Sequence, residues 1–140
     1  GNTGLFPALT ETGYRDDDIL DVWFRDERAT PLVILQGGIP AGFALVERSL
    51  PRAGVNEPQN YRLSEFFVRQ PFRLRGVGRE AAQLIFTRFS GRWLVVEQAR
   101  NDGAVKFWRR VITRYTNGRF QERLGGGEVR HSFDSLRPLI

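Results

Sequence analysis

Phe67-Val68-Arg69-Gln70-Pro71-Phe72-Arg73-Leu74-Arg75-Gly76-Val77-Gly78 runs from an apolar strand, through an arginine-rich loop, into a pair of glycines. The strand is expected over Tyr61 to Arg69 and the loop over Gln70 to Arg75. Gly76 or Val77 to Phe89 reads as a helix, because Val77, Ala81, Leu84, Ile85 and Phe89 share one face at helical spacing. Where a loop enters a helix, backbone N–H groups point out unpaired and the dipole is positive, so an anion fits. Gly76 and Gly78 let a diphosphate approach the backbone. Arg69, Arg73, Arg75 and Arg79 surround that position with positive charge.

Outward from this junction, Leu32 to Gln36 and Ala41 to Arg48 read as strands joined by a hairpin at Gly37-Gly38, and residues 49–60 as a loop. Trp93 to Ala99 is a buried strand, Asp102 to Arg114 a helix capped by Asn101 or Asp102, and Gly118 to Arg123 and Glu128 to Phe133 a closing strand pair. Tyr14 to Arg28 reads as a helix with Asp16, Asp17 and Asp18 in its first turn; Ile19, Leu20, Val22, Trp23 and Phe24 form its apolar face. Residues 1–13 read as loop or tail. Tyr61–Arg69, the following helix and Trp93–Ala99 form a parallel βαβ unit, and the flanking strands are antiparallel. The fold class is therefore α/β, or α+β, with a mixed sheet.

The 140 residues suit one domain over 1–140, and 41% hydrophobic with 26% charged residues exclude a disordered tail or a membrane protein. No leader-like block opens the chain, so the cytoplasm is the default location. With no cysteine, disulfides, thiolate metal sites and a cysteine acyl-enzyme are excluded. His131, the single histidine, builds no zinc site by itself, and no nucleophile elbow accompanies it; no metal is expected. The net charge of +5 is uneven, with acids concentrated in residues 1–27 and arginines elsewhere. Composition alone leaves nucleic acid, a phosphorylated cofactor and no anionic partner all open.

Two phosphate motifs compete with the diphosphate reading. The Walker A pattern is absent. The dinucleotide fingerprint is nearly met by Gly76-Val77-Gly78-Arg79-Glu80-Ala81, with Glu97 lying 19 residues beyond Gly78. That fingerprint turns directly off a strand end, whereas Arg69 to Arg75 intervene here.

The Phe67–Gly78 stretch resembles the signature of the GNAT superfamily of acetyl-CoA-dependent N-acetyltransferases, an apolar strand followed by Arg/Gln-x-x-Gly-x-Gly/Ala. Asn101-Asp102-Gly103-Ala104-Val105-Lys106-Phe107-Trp108 resembles its second motif, Asn-x-x-Ala-x-x-Phe/Leu-Tyr. The likeness covers about residues 30–135 and is nearest to bacterial members of undefined substrate. It implies a GNAT-like acyl-CoA N-acyltransferase fold whose sheet splays between two parallel strands, Tyr61–Arg69 and Trp93–Ala99, with the pantetheine arm of acetyl-CoA in the gap. By the same resemblance, the backbone of Phe67 and Val68 would bind that arm, and an N–H there, assigned to Val68, would polarise the acetyl carbonyl. Arg73, Leu74, Arg75, Gly76, Val77, Gly78 and Arg79 would hold the pyrophosphate; Asn101, Ala104, Phe107 and Trp108 would line the coenzyme. The opening strand-helix unit of the family is expected to be short or missing, since only about 13 residues precede Tyr14.

The family commonly has tyrosine at position 108 to protonate the leaving thiolate, and indole is no acid at neutral pH. Tyr115 is a weak substitute. Glu65 is the candidate base, an acid beside the apolar Phe66–Val68 run; burial would raise its pKa. Gln98 and Glu97, at the end of the central strand, are tentative substrate contacts, and Ser64 is a weaker one. The acceptor is an amine, a small molecule rather than a protein. A homodimer is compatible with the family, and nucleic acid ranks last as a partner. The alternative is a non-catalytic acyl-CoA-binding or interaction module.

Overall fold

The computed structural model describes residues 2–7, 28–49 and 59–135. Its strands are β1 (Thr3–Pro7), β2 (Ala29–Gln36), β3 (Ile39–Arg48), β4 (Asn60–Val68), β5 (Arg92–Gln98), β6 (Gln121–Gly125) and β7 (Glu128–Asp134). Among the described residues the α-helices are α1 (Val77–Arg88) and α2 (Asp102–Thr116), and a 3₁₀ turn covers Gln70–Phe72. The strands form one seven-stranded sheet in the order β1-β2-β3-β4-β5-β7-β6. Only β4 and β5 pair in parallel, with α1 crossing between them; the other neighbours are antiparallel. This is the mixed α/β sheet expected from the strand-helix-strand pattern.

The stretch 1–13 corrects the expectation of a loop. Thr3–Pro7 is a strand, paired with β2 from Thr3–Gln36 to Pro7–Leu32, so an opening strand is present. Its glycine and proline hid it, because both residues are tolerated at a sheet edge. The helix expected over Tyr14–Arg28, with its aromatic and acidic faces, falls almost wholly outside the described residues, as does most of the 49–60 loop.

Both helices pack on one face of the sheet. Phe86 of α1 is fully buried, with its ring 4.9 Å from Trp93, 4.8 Å from Phe133, 6.2 Å from Trp108 and 5.4 Å from Tyr115. Alternation along β5 and β7 explains this core: Trp93 and Val95, and Val129, His131 and Phe133, all point inward. A bulge interrupts the alternation in β4, because Leu45 pairs with Glu65 while Val46 pairs with Leu63, leaving Ser64 unopposed. Leu63 and Phe66 consequently both pack into the helix-side core, and Glu65 and Phe67 are exposed.

Candidate functional site

The parallel pairing of β4 with β5 holds only from Asn60–Arg92 to Arg62–Leu94. Beyond that point β4 runs on to Val68 and β5 to Gln98 without pairing, so a gap opens between them. Ser64, where the strands part, has a buried hydroxyl with no hydrogen-bond partner among the described residues. Strand edges that face no partner present unpaired backbone groups. Arg69 N–H donates to the Ala41 carbonyl on β3 (2.7 Å). Backbone groups alternate sides along a strand, so those of Phe67 also point to β3 and those of Phe66 and Val68 point into the gap. Of the two residues expected to bind the arm, the backbone of Val68 lies on the gap side of β4 by this alternation and that of Phe67 on the β3 side. The Val68 carbonyl accepts from Arg73 Nε (2.7 Å), so its N–H is the group left facing the gap.

Both helices begin at this open end. In α1 the first helical bond runs from Glu80 N–H to the Gly76 carbonyl (3.0 Å), so the N–H groups of Val77, Gly78 and Arg79 precede the helical ladder. Gly76 caps it with φ 80°, in the left-handed region, preceded by the exposed Leu74 at φ 63°. Gly78 has a packing reason as well: a Cβ there would lie 3.2 Å from the Phe107 ring, so the absent side chain lets α1 and α2 approach. Asn101 starts α2, its Oδ1 accepting from Ala104 N–H (3.2 Å). Two positive dipole ends therefore converge on one end of the gap.

The arginines divide. Arg69 donates to the Pro40 carbonyl (2.8 Å), and Arg73, besides bonding Val68, stacks over Phe67 (5.3 Å). These two fasten the loop. Arg75 is exposed, and the Arg79 guanidinium lies over Gly76.

The floor of the gap on the helix side is Trp108. Its ring meets Phe66 of β4 at 5.0 Å, and its indole N–H donates to Glu97 Oε1 of β5 (3.1 Å). Trp108 is buried, with Phe107 beside it. Burial raises the Glu97 pKa, and the Trp108 hydrogen bond and nearby His131 pull it back in part. Glu97 and Gln98 lie on opposite faces: Glu97 turns to α2 and Gln98 is exposed. Burial of a carboxylate was expected at Glu65. Glu65 is exposed, because the Ser64 bulge turns it to the face away from the helices. Tyr115 is no substitute acid: its hydroxyl bonds Thr87 (3.0 Å), ~10 Å down the helix from Trp108.

The profile of the Acetyltransferase (GNAT) family matches residues 4–112. The chain belongs to that family. No curated protein matches it. Among solved structures, it resembles an acetyltransferase from Thermus thermophilus at 23% identity and TM-score 0.60, covering 86% of this chain and 71% of that one. A GNAT acetyltransferase from Elizabethkingia anophelis with acetyl-CoA bound aligns at 9% identity and TM-score 0.59, covering 95% and 98%. Naa50 from Arabidopsis thaliana, in complex with the bisubstrate analogue CoA-Ac-MVNAL, aligns at 14% identity and TM-score 0.57, covering 97% and 100%. These likenesses show a shared GNAT fold.

The buried pairing of His131, one strand away from the gap on β7, was not foreseen from the sequence. His131 is fully buried, its Nε2 2.7 Å from Glu122 Oε1, while its Nδ1 has no partner among the described residues. Glu122 also accepts both Nε and Nη2 of Arg109 (2.8 and 3.2 Å). The legible signal was the alternation Val129, His131, Phe133, which puts the imidazole at a core-facing position of β7. Among the described residues no cluster of His, Asp or Glu suits a metal ion, and no helix is long and apolar enough to cross a membrane.

Proposed function

We propose that this GNAT protein transfers an acetyl group from acetyl-CoA to an amine by direct attack in a ternary complex, with residues 1–140 acting as one domain. The observation that carries the reading is the gap between β4 and β5, with the starts of α1 and α2 at its open end. Acetyl-CoA brings an activated thioester and a stable thiolate leaving group. The N–H groups from Leu74 to Arg79, with the Arg75 and Arg79 side chains, hold its pyrophosphate. Val68 N–H binds along β4, and Ala104, Phe107 and Trp108 wall the arm from the helix side. The acceptor approaches the opposite face, where Glu65 and Gln98 are exposed; Glu65 takes the ammonium proton and Gln98 orients the amine. The acceptor in this reading is a small amine.

Isothermal titration of the intact protein with CoA is the test. Binding in the micromolar range supports the reading, and no binding defeats it. The buried Trp108, with its N–H committed to Glu97, favours one rival, a CoA-binding module without turnover. Release of thiol from acetyl-CoA with any member of an amine panel rejects that rival.

A further inference from the structure

We propose that Glu97 supplies the proton taken by the leaving thiolate. The proposal rests on the acetyl-transfer reading. Trp108 stands where the family commonly has a tyrosine acid, and its only N–H is committed to Glu97. Glu97 lies beyond Leu94, the last β5 residue paired with β4, so its side chain borders the gap rather than the closed sheet. The indole holds it from α2 while Phe66 fixes the indole from β4. The hydrogen bond thus positions the carboxyl and leaves its second oxygen for another partner.

Val95 pairs with His131 and Glu97 with Val129, which makes Glu97 and His131 diagonal neighbours on the helix-side face. Nε2 of His131 engages Glu122 on β6, and Glu122 is held at the surface by Arg109 of α2. With its proton on Nε2 the ring presents Nδ1, the buried unpartnered atom, as an acceptor. The groups facing Glu97 are thus Trp108 from α2 and His131 from β7, with Glu122 and Arg109 behind the imidazole. Among the described residues no hydrogen bond joins His131 to Glu97, and burial of Glu97 favours a protonated carboxyl.

The step balances. The amine nitrogen bonds to the thioester carbon and the C–S bond breaks. Sulfur keeps the bonding pair and takes the Glu97 proton. The acylated nitrogen sheds its extra proton to solvent, and Glu97 takes one back from solvent at the gap before the next turnover. The net transfer is one proton from amine to sulfur.

The Trp108 indole N–H reports directly on Glu97. Its ¹H–¹⁵N resonance, assigned by its absence in Trp108→Phe, is followed against pH in the free protein, with CoA, and with desulfo-CoA, which lacks the sulfur. The expected result is a titration midpoint above the ordinary glutamate value, shifted by CoA but not by desulfo-CoA, and abolished in Glu97→Gln. Equal midpoints with both ligands, or no titration of the resonance, overturn the proposal. Failure of both ligands to bind is a separate result: it removes the acetyl-transfer reading, and this proposal with it.

Discussion

The two halves of the β4–β5 pair use the same strands to opposite ends. In the first half, Tyr61 stacks on Trp93 at 5.2 Å, Phe89 meets Tyr61 edge-on at 5.6 Å, and Phe86 meets Trp93 at 4.9 Å. Aromatic packing and ladder hydrogen bonds close that half. In the second half the ladder stops, and the side chains beside the opening include Ser64, Glu97 and the Trp108 N–H. An open strand edge leaves backbone groups unpaired, which costs stability. The cost is bearable because the closed half and the two helices fix the strands' divergence, so the gap is a preformed slot rather than a fluctuation.

Removing the clasp tests this division most severely. Phe86→Ala strips a fully buried ring from contact with Trp93, Trp108, Tyr115 and Phe133. It should cost ~3–5 kcal/mol in denaturant unfolding. If the variant is destabilised yet binds CoA as tightly as the wild type, the closed half is not what holds the slot.

A smaller change addresses the slot's mouth. Gly78→Val pushes a side chain toward Phe107, 3.2 Å from the Cβ position, and toward Val68 at 3.6 Å. It should destabilise by ~1–3 kcal/mol and weaken CoA binding measured by titration. Gly103→Ala, in the first turn of α2 with nothing within 4 Å of its Cβ position, is the control. It should leave both readings nearly unchanged. Equal losses in the two variants would mean that helix composition, not the α1–α2 approach, sets the mouth.

The sequence carried most of the slot and little of its floor. The strand, the Arg73–Gly78 loop and the Asn101 cap were readable because each depends on local chemistry: unpaired N–H groups, a left-handed Gly76 and a side-chain cap. Non-local facts were hidden. The Ser64 bulge needs the β3 register, and it alone decides that Glu65 faces outward and Phe66 inward. The structural duty of Arg69 and Arg73 depends on carbonyls at Pro40 and Val68. β1 lay in a stretch whose glycine and proline spoke for a loop, and only its pairing with β2 makes it a strand.

The finest contrast lies between two carboxylates on either side of α2. Burial raises Glu97, whereas the hydrogen bond from Arg109, joined by His131, lowers Glu122. The signs follow from linkage. The Glu122 contribution is present above the ordinary glutamate pKa, about 4.3, and disappears as pH falls through the lowered value. Glu97 does the reverse: its contribution is complete below the ordinary value and is lost as pH rises through the raised one. In thermal melts at neutral pH, Glu122→Gln should therefore lower Tm by about 2–4 °C, the scale of a surface ion pair in a chain of this size. Its deficit should vanish in acid. Glu97→Gln should raise Tm slightly at neutral pH, and that gain should also fade in acid. Shifts of the same sign in both variants would show that the slot's carboxylate is as comfortably solvated as the one at the sheet edge, and the two sides of α2 would then not differ in the way their packing requires.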